Sequence, residues 1–157
     1  MGARTPERNH QGSQLRRIVI LLDTNVISEL RPGKRKASPQ VRAWAADQPF
    51  EQLFLSSVPI LELRTGMERK ARIDSEQGRR LRDWIEALEA EFGDRILGFS
   101  PRAAKLCAPM HSPDPMELRD SMIAAIALEH GLTLATRNVH DFVGRGILVL
   151  NPWDSPA

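Results

Sequence analysis

The first apolar run of the chain, Ile18-Val19-Ile20-Leu21-Leu22, ends in Asp23, and Thr24-Asn25-Val26-Ile27-Ser28 continues in a helix-like pattern. A carboxylate therefore stands on a strand-to-helix turn. Later segments supply Glu62, Asp120 and Asp141 at comparable edges of apolar runs. Converging carboxylates repel one another unless a proton or a cation neutralises them, and hard divalent cations take oxygen ligands. The pattern points to a Mg²⁺ or Mn²⁺ site whose cation would bind a phosphate oxygen and acidify a water, the chemistry of phosphodiester hydrolysis. Thr24, Asn25, Ser57, Thr136 and Asn138 lie beside the acids and are short hydrogen-bonding residues suited to orienting ligands or water. Each residue also has a plainer structural reading. Asp23 could cap the helix from Thr24, Asp120 the helix from Ser121, Glu62 and Asp141 could be surface residues, and the polar neighbours could be turn residues.

The elements that must position these groups alternate. After strand one, helix signals run to about Leu30, stop at Pro32-Gly33 and resume after Pro39 with Val41, Trp44 and Ala45 on one face. Leu53 to Ser57 reads as a second strand, followed by a helix from Ile60 to Met67 that carries Glu62. From Asp74 to Phe92, Leu81, Trp84, Ile85, Leu88 and Phe92 recur at the spacing of an amphipathic helix. Ile96 to Phe99 is a third short strand, Pro101 to Met110 a helix, and a proline-rich loop then delivers Asp120. Met122 to Leu128 is apolar nearly all round and ends at Gly131, so that helix belongs in the interior. Leu132 to Thr136 is a fourth strand, Arg137 to Phe142 a polar loop, and Ile147 to Leu150 a last strand.

Strands alternating with helices predict an α/β fold with a mainly parallel sheet of four to five strands and helices on both faces. Ligand sites in such sheets form beyond the carboxyl ends of the strands. Asp23, Glu62 and Asp141 each come after a strand and face that edge. Asp120 reaches it only if the proline-rich loop returns there, which spacing alone leaves open.

With 157 residues and 41% apolar content, one compact core is expected, over residues 18–153, between a basic tail at 1–17 and a short C-terminal tail at 154–157. The tail lacks periodicity and apolar content, so disorder is expected there. It holds four arginines and one glutamate, leaving the remainder of a chain of net charge +2 close to neutral. No apolar run approaches the roughly 20 residues of a membrane helix or the roughly 7–15 of a signal-peptide core, so a cytoplasmic location is expected. A single cysteine, Cys107, excludes an internal disulfide and sits in a setting that suits a buried small residue. His10, His111, His130 and His140 show no zinc spacing, and no glycine-rich phosphate loop or serine elbow occurs. Three basic clusters, Lys34-Arg35-Lys36, Arg69-Lys70-Arg72 and Arg79-Arg80-Arg82, are solvated charge unless they gather beside the acids, where they would meet phosphates.

Four blocks in order resemble a known family. Leu22-Asp23-Thr24-Asn25-Val26-Ile27-Ser28-Glu29-Leu30 is similar to the opening motif of PIN-domain ribonucleases, in particular VapC-like toxins of type II toxin–antitoxin modules and their FitB-like branch. Leu55-Ser56-Ser57-Val58 through Glu62-Leu63-Arg64-Thr65-Gly66 is similar to the second motif. Asp120 to Ala127 with Leu134 to Phe142, and then Asn151-Pro152-Trp153, completes the likeness over about residues 18–153.

The resemblance implies a three-layer α/β/α PIN fold and a metal-dependent endoribonuclease; attack by a metal-activated water rather than a 2′-hydroxyl implies 5′-phosphate and 3′-hydroxyl ends. It implies frequent homodimers and an antitoxin whose C-terminal segment fills the active groove while its N-terminal part binds operator DNA. It also implies Asp23 and Asp120 as principal metal ligands, with Glu62 supporting metal or water. Many relatives carry Asp where this chain has Asn138, and Asp141 stands nearby as a replacement. Pro59 stands where relatives often have Thr. Two other readings remain at this point. Phosphatases of the haloacid-dehalogenase type also end strand one in Asp, but need a second Asp where Asn25 stands. A degenerate PIN domain that binds without cutting would account for Asn138.

Overall fold

The computed structural model describes residues 17–156; the tail expected at 1–17 therefore lies outside the described residues except for Arg17. Five strands, β1 (Ile20–Leu22), β2 (Leu53–Ser56), β3 (Ile96–Leu97), β4 (Thr133–Ala135) and β5 (Val149–Leu150), form one sheet in the order β3-β2-β1-β4-β5. Every pairing is parallel, with Ile20 opposite Leu53 on one side of β1 and Thr133 on the other. Six α-helices connect them: α1 (Thr24–Glu29), α2 (Pro39–Asp47), α3 (Ser57–Ile73), α4 (Ser75–Phe92), α5 (Pro101–Cys107) and α6 (Leu118–His130).

Alternation along the strands builds two cores, because successive side chains point to opposite faces. Leu21 and Leu134 join Ala103, Ile123 and Ile126 of α5 and α6 beneath one face. Ile20, Leu22, Leu55 and Ala135 meet Val26 and Ile27 of α1, Val41 of α2 and Phe92 of α4 on the other. The three-layer α/β/α expectation is met, with five strands and, among the described residues, no antiparallel pair.

Several boundaries differ from the sequence pattern. Ser57 is helical, not strand: α3 starts directly after β2 and runs to Ile73, well beyond Met67. Pro59 falls in its first turn, where a missing N–H removes nothing from the helix. The strands are shorter than their apolar runs, and the loop at 137–142 contains a 3₁₀ turn, Val139–Phe142, that buries Phe142. The helix bearing Asp120 begins at Leu118 and is capped by the Glu117 carboxylate, which accepts the Asp120 N–H at 2.9 Å. Asp120 is thus not the cap. α3 and α4 form a hairpin in which a Cβ on Gly78 would stand 2.5 Å from Ala71 Cβ, so only glycine permits that approach.

Between β1 and β4 the direction of strand succession reverses. Such switch points open a crevice at the carboxyl edge of the sheet. Asp23 leaves β1 and Thr136 leaves β4 at that crevice.

Candidate active site

Asp23 is anchored through its backbone, donating its N–H to Ala135 O of β4 at 3.0 Å and offering its carbonyl to Val26 and Ile27 of α1. Its side chain is 6% exposed. Oδ1 accepts the Thr24 N–H at 2.7 Å and Oδ2 accepts the Thr136 hydroxyl at 2.7 Å. Capping and site-forming roles therefore coincide. Asn25 Nδ2 approaches both Asp23 Oδ2 (3.4 Å) and Thr136 Oγ1 (3.3 Å), while its Oδ1 accepts the Arg137 N–H. Thr136 also accepts the Asn138 N–H at 3.1 Å. Asn138 thus enters this network through its backbone. Burial raises the Asp23 pKa, and the hydrogen bonds from Thr136 and Thr24 oppose that rise.

Glu62 projects from α3, one turn and a half past β2. Burial raises its pKa, and Asp23 and Glu117 act in the same direction against Arg119. The Thr24 hydroxyl lies close enough to favour the Glu62 carboxylate, yet Thr24 Oγ1 is buried with no hydrogen-bond partner.

Asp120 is pushed up to about 6, first by burial and then by Asp23, Glu117, Asp141 and Glu62. The proline-rich loop therefore does return to the sheet edge. The return is fixed by Ser121, which donates to Leu118 O at 2.6 Å and stands 2.8 Å from His111 Nε2 and 3.3 Å from Cys107 Sγ. Because the serine proton goes to Leu118, His111 must be the donor in its pair. Cys107 is buried, as its setting implied. Asp141 is partly exposed, pairs with His140 at 3.1 Å, and lines a cleft of about 420 Å³ with Met116, Glu117 and Asp120.

The four sequence-singled acids therefore influence one another. Two functional neighbours escape sequence reading. Glu117 adds a fifth carboxylate, but glutamate is a rare cap and gives no local signal. Glu29 is buried, receives Lys34 Nζ at 2.6 Å and the Ser38 N–H at 2.8 Å, and is held below the ordinary carboxylate range by them. It braces the loop after α1.

Among the described residues, no three His, Cys, Asp or Glu side chains converge closely enough to enclose a metal ion by themselves. Mg²⁺ does not need such a cage, since one or two carboxylates with waters and substrate phosphate suffice. Desolvated, mutually repelling carboxylates and an unsatisfied hydroxyl at Thr24 fit a divalent cation. Asn25, an amide occupied with Asp23 and Thr136, supplies no second carboxylate of the phosphatase kind.

A parallel α/β sheet carrying acids from β1, α3 and α6 at its switch point defines a class of protein, and the comparisons agree with it. The family model described as PIN domain matches residues 20–142, and the chain belongs to that family. Toxin FitB of Neisseria gonorrhoeae is 34% identical over 144 residues, covering 86% of this chain and 99% of FitB. VapC ribonuclease Y4jK of Sinorhizobium fredii is 34% identical over 145 residues, covering 87% of this chain and 99% of that protein. The solved structure of FitAB bound to an IR36 DNA fragment superposes with a TM-score of 0.79 at 31% identity, covering 88% of this chain and 99% of the matched chain. The resemblance in the sequence blocks is thereby borne out.

Proposed function

We propose that the chain is the endoribonuclease toxin of a type II toxin–antitoxin module, hydrolysing RNA phosphodiester bonds with Mg²⁺ or Mn²⁺. Asp23 and Asp120 hold the cation, Glu62 and Asp141 support it or orient water, and Thr24, Asn25, Thr136 and Asn138 fix the ligands. When bound, the cation neutralises the scissile phosphate and acidifies a water. Thr136 and the Thr24 N–H hold the Asp23 carboxyl in place and favour its ionised form against burial. Glu62, poised above the ordinary carboxylate range by burial, can accept a proton from that water. Water attack implies 5′-phosphate and 3′-hydroxyl ends.

The observation that carries the reading is the gathering of Asp23, Glu62 and Asp141, from separate stretches of chain, around Asp120, whose carboxyl is raised to about 6 first by burial and then by these acids and Glu117. The relatives named toxin and ribonuclease support the same activity. The FitAB complex bound to DNA supports assembly of this module with DNA; in our reading the partner is an antitoxin, and the chain meets DNA only indirectly through it. A homodimer acting in the cytoplasm completes the proposal; among the described residues no helix is long and apolar enough to cross a membrane. The catalytic unit is residues 18–153.

The test is cleavage of RNA by wild type and Asp23→Asn with Mn²⁺ or EDTA. Cleavage by wild type that EDTA and the substitution both abolish is the expected result. Equal cleavage by both proteins would refute catalysis at this site. Failure of the wild type to bind Mn²⁺ by calorimetry would favour the binding-only PIN domain.

A further inference from the structure

Two clefts meet at Arg31, Gln77, Leu81 and Trp84, and one of them reaches the acids. One, of about 470 Å³, starts at Thr24 and Glu62 and runs between the loop after α1 and the α3–α4 hairpin to Lys70. A second, of about 390 Å³, shares those four residues with the first and continues to Arg80, with Asp74 and Glu76 also in its walls. The two therefore form one groove. Each of the three basic clusters noted in the sequence contributes a residue to its walls: Lys34, Lys70 and Arg80. Lys34 and Arg80 are paired with Glu29 and Glu76. Among the described residues, Arg31 and Lys70 have no ion-pair partner and are available to an anion.

Gly66 supports the same use of this groove. It lies one helical turn from Glu62 and one from Lys70 on the same face of α3, within the groove wall. Neither its backbone nor its packing calls for glycine, because its φ is ordinary and a Cβ there would meet nothing within 4 Å. Glycine in a helix interior weakens the helix. Its missing side chain does provide an open wall between the acids and Lys70, about 12 Å apart along the helix.

Resting on the nuclease reading above, we infer that this groove carries one unpaired RNA strand away from the scissile phosphate. Arg31 and Lys70 contact its successive phosphates, Gly66 leaves room for the backbone, and Leu81 and Trp84 give the bases an apolar wall. Clefts of this size, about 390 and 470 Å³, have room for a few nucleotides of one strand. Backbone cations beside an aromatic surface are the usual means of holding unpaired nucleic acid without sequence readout.

The test uses the full chain. Binding of a short fluorescent single-stranded RNA of mixed sequence is measured by anisotropy in an Asp120→Asn background, where the RNA stays intact, over a series of salt concentrations. Gly66→Gln is expected to melt no lower than its parent and to weaken RNA binding at least about tenfold. In the otherwise native chain it should hydrolyse bis(p-nitrophenyl) phosphate with Mn²⁺ at the parental rate. Arg31→Gln and Lys70→Gln should each weaken RNA binding and lower the slope of log affinity against log salt by about 0.7, the value for one phosphate contact on a single strand. Unchanged RNA affinity and slopes in all three variants would overturn the groove while leaving the nuclease reading intact. Loss of RNA binding in the variants, when the native chain hydrolyses neither RNA nor the small phosphodiester, would uphold the groove and defeat the nuclease reading.

Discussion

Replacing Asp120 by Asn should make the metal-free protein more stable and the metal-loaded protein comparatively less so. The pKa of Asp120 rises from 3.8 to about 6. At about 1.4 kcal/mol per unit, ionising this group in the folded state would cost about 3 kcal/mol were it fully shielded. Asp120 is only partly buried, so solvent screening reduces the figure to about 1 kcal/mol. The sign comes from linkage: the folded state binds this proton more tightly than the unfolded state, so wild type loses stability as pH rises from about 4 to about 6, and the loss is complete above that. Asn has no proton to lose. In EDTA and low salt at pH 8, Asp120→Asn should therefore melt about 2–4 °C above wild type, with the gap closing by pH 4. Saturating Mn²⁺ inverts the order, because metal at about 100 times its Kd adds about 2.7 kcal/mol to whichever protein binds it. Circular dichroism melts at two pH values, with and without Mn²⁺, are sufficient. A variant that melts below wild type in EDTA at pH 8, or that gains as much from Mn²⁺, would refute charge repulsion at a cation site.

Other contacts lead to three more expected outcomes. RNA cleavage should increase with pH through about 6, as Asp120 sheds its proton, and should vanish in EDTA and return with Mn²⁺; a rate flat between pH 5 and 8 would count against Asp120 as a ligand. Thr136→Val keeps the shape of a fully buried residue but removes the 2.7 Å donor to Asp23 and the acceptor of the Asn138 N–H, so cleavage should fall about 10–100-fold and stability by about 1–3 kcal/mol in urea unfolding. Glu29→Ala leaves the Ser38 N–H without its acceptor and should cost about 1–3 kcal/mol by urea unfolding, while Mn²⁺ affinity stays at the wild-type value.

The sequence made the sheet legible because its strands are short apolar runs bounded by acids, glycines and prolines, and parallel crossovers require the intervening helices. Asp23 and Glu62 were legible for the same reason: each comes shortly after a strand, and residues in that position gather at the carboxyl edge of a parallel sheet. Asp120 was not, since its approach depends on a loop whose path is held by His111, Cys107 and Ser121. Those contacts join residues ten and fourteen positions apart, with no period to announce them. Helix starts were misplaced where chemistry at the cap departed from preference. Ser56 precedes α3 without a side-chain cap bond, and Glu117 rather than Asp120 caps α6. The basic clusters carried no decision in one dimension, and only the fold brings one residue of each to the same groove.

The capping of α6 bears directly on the chemistry of the acids. Had Asp120 capped the helix, backbone N–H groups would favour its ionised carboxylate, as the Thr24 N–H and the Thr136 hydroxyl do for Asp23 against the larger upward effect of burial. Glu117 takes that role instead, and its own charge adds to the field on Asp120. The two principal acids consequently differ: Asp23 is buried but furnished with two short donors, whereas among the described residues no donor reaches the Asp120 carboxylate. On the proposed function, a cation arriving at the site would displace a proton from Asp120, whose carboxyl is raised to about 6. Calorimetry of Mn²⁺ binding at pH 6 in buffers of different ionisation enthalpy should therefore report proton release of about half an equivalent, and Asp120→Asn should abolish it. Release that persists in that variant would assign the titrating group to Glu62 or Asp23 and remove the asymmetry between the two principal acids.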